Sequence, residues 1–303
     1  MKKYIKIMRI DHWIKQLFVL PGFVSALFLG NYAFNCNLFI NLLIGLFATS
    51  LIASANYVIN EYLDAEFDKF HPTKSKRPLV EESVKGSVIW ILWFVLSVVG
   101  LSIGFFVIGK KFFFMELWLL VMGILYNVKP IRTKDISYLD VLSESINNSI
   151  RFMLGWFIVP VNIILPISIF LGYWMAGAFL MAIKRYAEYR MINNKKKASL
   201  YRKSFKYYNE KTLLVSAFFY AMCAIFFVGI FLIKYKIELI LAIPFIVGLF
   251  CYYFYISFAN DSAVQKPEKL YKEKGLMIYC IFLVVLFIVL INIRIEWLDI
   301  FLK

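Results

Sequence analysis

Apolar residues along this chain fall in long, nearly unbroken runs, without the three-to-four spacing that marks a soluble amphipathic helix. Nine runs stand out, at about 17–35, 38–59, 87–108, 112–127, 137–158, 161–183, 212–233, 237–258 and 275–293. Most are close to the roughly 17–25 residues that carry an α-helix across a bilayer. The fourth is short, and the fifth is interrupted by polar residues. The links between runs leave no room for a soluble domain. The pattern predicts an all-α integral membrane protein of nine transmembrane helices, folded as one polytopic domain over residues 1–303.

Composition supports a lipid solvent: 62% of residues are hydrophobic and 17% charged, against about half and a quarter in soluble domains. Charge then fixes an orientation. The N-terminus and the links after runs two, four, six and eight carry 27 Lys and Arg, and the other side carries 6. The positive-inside rule puts the N-terminus in the cytoplasm, the C-terminus outside and the basic links on the cytoplasmic face. A net charge of +15 would raise nucleic acid in a soluble protein. Here the cations sit in short links beside lipid, so the expected partners are the bilayer and anionic substrates, not nucleic acid. The four cysteines are scattered without metal-ligand spacing.

The most informative stretch ends the second run: Asn56-Tyr-Val-Ile-Asn60-Glu61-Tyr-Leu-Asp64-Ala-Glu66-Phe-Asp68. At about 100° per residue, Asn56, Asn60, Glu61, Asp64 and Asp68 share one face, and Glu66 falls on the other. Like charges at i,i+4 destabilise a helix unless a cation lies between them. A stripe of hard oxygen donors suits Mg²⁺, which is usually held by one or two carboxylates together with substrate phosphates. Lys74, Lys76 and Arg77 follow at once, and such cations can neutralise phosphate oxygens. A solvated, charge-balanced loop is the plainer alternative.

Other polar positions fall near the same side. Lys184-Arg185-Tyr-Ala-Glu188 closes the sixth run, and Tyr126-Asn127-Val-Lys129-Pro-Ile-Arg132 closes the fourth. In the fifth, Asp140, Glu144, Asn147 and Arg151 form one narrow stripe running about 16 Å into the helix. Charges at membrane depth normally face a cavity or a partner. The stripe is expected to wall the substrate cavity, with a buried structural network as the alternative. For the other two segments the alternatives are an ordinary helix ion pair and snorkelling interface cations.

Asn60-Glu61-Tyr-Leu-Asp64-Ala-Glu-Phe-Asp68 resembles the Asn-Asp-x-x-Asp-x-x-x-Asp motif of the UbiA superfamily of intramembrane prenyltransferases, with Glu61 where Asp is usual. Arg9-Ile-Asp-His-Trp13-Ile-Lys15-Gln, His71-Pro-Thr-Lys74-Ser-Lys-Arg77-Pro and Lys184-Arg185-Tyr-Ala-Glu188 are similar to the decaprenyl-phosphate phosphoribosyltransferase branch. The resemblance implies nine helices and a cytoplasmic, Mg²⁺-dependent site that takes phosphoribosyl pyrophosphate and a polyprenyl phosphate. It implies metal ligation by Asn60, Asp64, Asp68 and Glu61. Catalytic roles fall to Asp64, Asp68, Lys184 and Glu188. Substrate contacts fall to Lys15, Asn56, Lys74, Arg77, Tyr126, Lys129, Asp140, Arg151 and Arg185. The rival within the fold is an isoprenyl diphosphate donor with an aromatic or other acceptor. The absence of a second Asp-rich motif at 184–188 counts against it. A transporter is the non-enzyme rival, disfavoured because the acidic motif lies at a helix end and no repeats are visible.

Overall fold

The computed structural model describes residues 2–72, 74–81, 85–259, 262–265 and 267–298. Lys303, assigned to the outside by the charge count, lies beyond them. The described residues are helices and connecting turns, without strands. The long helical stretches are α1 (Tyr4–Gly30), α2 (Cys36–Asp68), α3 (Gly86–Ile108), α4 (Lys110–Asn127), α5 (Leu139–Ile158), α6 (Ile167–Ile192), α7 (Glu210–Tyr235), α8 (Ile237–Ile256) and α9 (Lys274–Asn292). Among the described residues, seven of these are long and apolar enough to cross a membrane. The two that fall short are α4, with Lys110, Lys111 and Glu116, and α5, with its charged stripe.

Several helices outrun the apolar segments that announce them. The second apolar run stops near residue 59, yet α2 continues to Asp68; the sixth stops near 183, yet α6 continues to Ile192. Hydropathy reports the part that meets lipid, while the helix continues wherever its polar side chains find partners. At 1.5 Å per residue the 33 residues of α2 extend about 50 Å, against a hydrocarbon core of roughly 30 Å. Its last turns therefore project beyond the apolar zone and carry Asn60–Asp68 with them.

The chain forms two compact units, residues 1–165 with 192–209, and residues 166–191 with 210–303. In the first, α2 is central. Its most apolar window is 61% buried, against 17% for α8 and α9. A run of small and medium side chains from Ala48 to Ala55 is buried; without a hydrophobic driving force between helices in lipid, such residues let neighbours approach closely. The tightest crossing joins α1 to α5. A Cβ at Gly22 would lie 1.8 Å from the Phe152 carbonyl oxygen, and one at Gly155 would lie 1.9 Å from that of Val19. Only glycine fits either position. Trp13 donates to the Ser54 hydroxyl at 2.9 Å and ties the N-terminal stretch to α2.

In the second unit α6 packs on α7 through Gly172 and Val228, and on α8 through Phe179 and Phe250. Tyr279 of α9 donates to the Phe245 carbonyl of α8 at 2.9 Å. Outward faces such as Val215, Phe218 and Phe219 on α7 and Ile278, Ile281 and Val284 on α9 are broadly exposed and apolar. Patches of this kind suit hydrocarbon, where helices satisfy their own backbone groups.

Candidate active site

The carboxylates of α2 divide as helical periodicity requires. Asp68 is buried, Asp64 is half-buried and Glu66 is exposed. Asp68 pairs with Arg77 from the link after α2. Asp64 accepts from Arg132 Nη2 at 2.9 Å and lies 2.5 Å from Lys134 Nζ, both from the link after α4. Asn127, the last residue of α4, holds both cations: its side-chain oxygen accepts from Lys134 at 2.7 Å, and its carbonyl accepts from Arg132 at 3.0 Å. The Arg132 guanidinium also lies 4.9 Å from the Phe67 ring centroid. Arg132 has φ 31°, a left-handed conformation that costs a non-glycine residue about 1–3 kcal/mol. Its Asp64, Asn127 and Phe67 contacts hold it there. Burial pushes the Lys134 ammonium pKa down to about 8, against the upward pull of Asp64.

Tyr201, Arg202 and Lys203, from the link after α6, add further contacts. The Lys74 ammonium meets the Tyr201 hydroxyl and lies 4.7 Å from the Tyr201 ring centroid. His71 stands edge-on to the same ring at 4.5 Å, and its Nδ1 accepts from the Lys74 backbone N–H at 3.2 Å. Arg202 Nη1 donates to the Tyr126 hydroxyl at 3.1 Å and lies 3.7 Å from Asp140. Tyr126 donates in turn to Glu144 at 2.8 Å. Lys203 reaches Asp135 at 3.5 Å. Lys74, Arg77, Arg132, Lys134 and Arg202 thus gather in one unit with Asp64 and Asp68.

The remaining expected residues take varied places. Asn60 is half-buried beside the acidic turns. Asn56 donates to the Leu119 carbonyl at 2.9 Å, a link between α2 and α4. Glu61 is buried and lies 3.6 Å from Arg9. Arg9 and Lys15 each place their charge 5.9 Å from the Tyr57 ring centroid, one turn before Glu61 on α2. Lys129 is exposed. Asp140 is fully buried; Tyr208 and Ser204 donate to it at 2.8 and 3.1 Å. Arg151 donates to Gln16 of α1 at 2.9 Å and to the Asn147 carbonyl at 3.2 Å. In the second unit Arg185 and Glu188, both buried, pair at 3.1 Å, and Lys184 is half-buried beside them.

Lys134, Tyr201 and Arg202 escaped the sequence reading. Lys134 had a faint signal as one of three cations in a short link. Arg202 was hidden among ten.

The donor set decides how a divalent metal would fit. Among the described residues no three His, Cys, Asp or Glu converge on one point, so there is no all-protein cage. Two carboxylates one turn apart, with the Asn60 amide a turn earlier, are hard oxygen donors. They match the way Mg²⁺ is shared between one or two carboxylates and a substrate diphosphate. In that shared mode the residues fit.

The sequence profile of the UbiA prenyltransferase family matches residues 18–286. The chain belongs to this family. Its family and its long apolar helices make it a multi-pass membrane protein. A decaprenyl-phosphate phosphoribosyltransferase of Mycolicibacterium smegmatis (strain ATCC 700084 / mc(2)155) is 27% identical over 210 residues, 69% of this chain and 63% of that protein. The match therefore covers less than two thirds of the relative. A UbiA homologue from Archaeoglobus fulgidus bound to GPP and Mg²⁺ superposes with a TM-score of 0.70 at 21% identity, over 96% of this chain and 100% of that one. The same homologue bound to DMAPP and Mg²⁺ also gives 0.70, at 20% identity over the same shares. A digeranylgeranylglyceryl phosphate synthase gives 0.67 at 18% identity, over 96% and 99%. These likenesses establish the UbiA fold.

Proposed function

We propose that this protein transfers 5-phosphoribose from phosphoribosyl pyrophosphate to a polyprenyl phosphate, with Mg²⁺, and releases pyrophosphate. The observation that carries the reading is the excess of cations at the acidic end of α2. Five Lys and Arg side chains gather around Asp64 and Asp68. A donor with both a pyrophosphate and a 5-phosphate calls for more positive charge than a simple prenyl diphosphate does. The mycobacterial relative, named for this reaction, supports the same donor.

Asp64 and Asp68, with Asn60 and with Glu61 behind them, would hold the metal. When bound, Mg²⁺ would neutralise pyrophosphate oxygens and stabilise the leaving charge. Lys74 and Arg77 bind the pyrophosphate as it departs, and Arg132 and Lys134 keep the Asp64 carboxylate aimed at the site. Lys184, Arg185 and Glu188 take the phosphate-binding and catalytic roles that the family resemblance implies, and Lys15, Asn56, Tyr126 and Lys129 the substrate contacts, while Asp140 and Arg151 brace the wall behind the site. The polyprenyl phosphate enters from the bilayer. Its phosphate oxygen forms a bond to ribose C1 as the C1–pyrophosphate bond breaks. The reading includes one polytopic domain of nine spans in the cell membrane, its N-terminus and reaction on the cytoplasmic side and its C-terminus outside.

A second reading keeps the site and exchanges the donor for an isoprenyl diphosphate. The Archaeoglobus homologues, bound to GPP or DMAPP, favour it. One experiment separates the two. Purified protein with Mg²⁺ is given either phosphoribosyl pyrophosphate and a polyprenyl phosphate, or geranyl diphosphate and an aromatic acceptor, and the lipid products are weighed by mass spectrometry. A phosphoribosylated lipid in the first arm is expected. Product in the second arm alone would overturn the proposal.

A further inference from the structure

The first unit also holds a cavity of about 450 Å³ at the end of α2 and α4 opposite their acidic and Asn127 ends. It opens where α2 and α4 begin, and these helices carry Asp68 and Asn127 at their other ends. Its polar wall includes Asn35, Asn37 and Asn41 from the start of α2, and Lys110 and Lys111 from the start of α4. No Asp or Glu is among the described residues that line it, so two positive charges stand there without a carboxylate in the wall. Two helix N-termini point the same way, and each contributes a partial positive charge and backbone N–H groups. Asn35 caps α2 by accepting from the Leu38 N–H at 2.9 Å, while α4 starts at Gly109 with no side-chain cap. Asn37 and Asn41 stand one turn apart on the same helix face.

The surroundings are those of a lipid interface. Phe106 is 80% exposed and Ile164 is 90% exposed, beside lining residues Ile108 and Val161. Inside the mouth, the Lys111 ammonium lies 6.0 Å from the Phe157 ring centroid. A group that suits these walls is anionic at its head and joined to an apolar tail.

We infer that this cavity binds the phosphate headgroup of an anionic lipid, at a site separate from the transferase centre. Lys110 and Lys111 carry the charge recognition, and the amides of Asn37 and Asn41 hold phosphate oxygens. A pair of lysines that merely anchors the helix at the interface would attract any anionic surface and would not use the asparagines. The site would use both.

The test titrates short-chain phosphatidic acid into the purified full-length protein in neutral detergent and follows retention by native mass spectrometry. Inorganic phosphate and a short-chain phosphatidylcholine serve as parallel probes. Saturable binding of phosphatidic acid is expected, weakened at least tenfold in Lys110→Gln/Lys111→Gln. Asn41→Leu, which leaves the charge unchanged, should weaken it severalfold. Transferase turnover should be unchanged in all three proteins, which also reports that each is folded. Inorganic phosphate binding as tightly as the lipid would identify a free anion as the ligand and overturn the lipid assignment. Retention insensitive to both the lysine and the asparagine changes would overturn the site.

Discussion

Two charged stretches of the first unit are satisfied in opposite ways. On α5, Asp140 takes hydrogen bonds from the hydroxyls of Ser204 and Tyr208, Glu144 takes one from Tyr126, and Arg151 is held by Gln16 and the Asn147 carbonyl. Those partners are mostly neutral, buried groups, with Arg202, 3.7 Å from Asp140, as the charged exception. On α2, Asp64 and Asp68 are met by Arg132, Lys134 and Arg77, long cations that reach in from links. The same carboxylate chemistry is a closed network in one place and a charged, adjustable one in the other. Burial in a low dielectric makes a satisfied network stiff and an altered one costly. The α5 stripe thus joins helices to the 192–209 segment, and the α2 end is where an exchange of cation for metal and phosphate is chemically reasonable.

The hardest test of that contrast is at α2. As a hypothesis, Asp64→Asn or Asp68→Asn lowers kcat by about 10²–10³, the usual effect of losing one element of charge stabilisation at a developing anion. Folding, followed by monodispersity and thermal unfolding in detergent, stays near wild type. Steady-state rates at saturating Mg²⁺ decide it. A variant with more than about a third of wild-type turnover would remove these residues from the metal site.

Asp140→Asn should invert the pattern. The change removes a charged acceptor from the Ser204 and Tyr208 hydroxyls and from nearby Arg202, and hydrogen bonds to charged groups contribute about 1.5–3 kcal/mol each. The expected result is a loss of about 2–4 kcal/mol in stability, read as a lower melting temperature in detergent, with kcat per folded molecule within a few fold. A stable but inactive Asp140→Asn protein would restore the stripe to the substrate cavity wall and erase the distinction between the two regions.

Arg202 touches both regions, through Tyr126 and Asp140 on one side and, on the other, the Tyr201 ring, 5.8 Å away, that Lys74 also faces. Arg202→Met keeps the length and removes the charge. The prediction is a KM for the phosphate donor raised by about tenfold, equivalent to about 1.4 kcal/mol of binding, with kcat less affected. A purely structural arginine would instead lower stability and leave KM alone.

What the sequence revealed of this divides along physical lines. The membrane class was legible because bilayer thickness sets a length that hydropathy can count. The α2 face was legible because a 100° step places Asp64 and Asp68 together and Glu66 away. The cations that pair with them were less so. Arg77 and Arg132 stood beside recognisable motifs, but Lys134 and Arg202 are brought in by link conformations that have no periodicity to read. The α5 stripe shows the same limit: spacing put Asp140 and Arg151 on one face, but their partners Tyr208 and Gln16 lie 68 and 135 residues away.

Glu66 gives the smallest expected effect and the cleanest control for the α2 assignment. It sits in the same acidic run as Asp64 and Asp68, but about 160° to 200° around the helix from them, and its side chain is exposed. If the run serves only as a negative patch at the interface, any one carboxylate is worth about as much as another, and Glu66→Gln should slow the enzyme as far as Asp68→Asn does. If a single stripe holds the metal, Glu66→Gln changes only a solvated charge on the far face of the helix, and exposed charges contribute little. The expected rate is then within about twofold of wild type, with stability within about 0.5 kcal/mol, as for surface changes away from special features. Initial rates for Glu66→Gln and Asp68→Asn, measured side by side at matched expression and saturating Mg²⁺, settle the matter. Equal losses in the two would dissolve the stripe, and with it the reason for treating the end of α2 differently from the buried charges of α5.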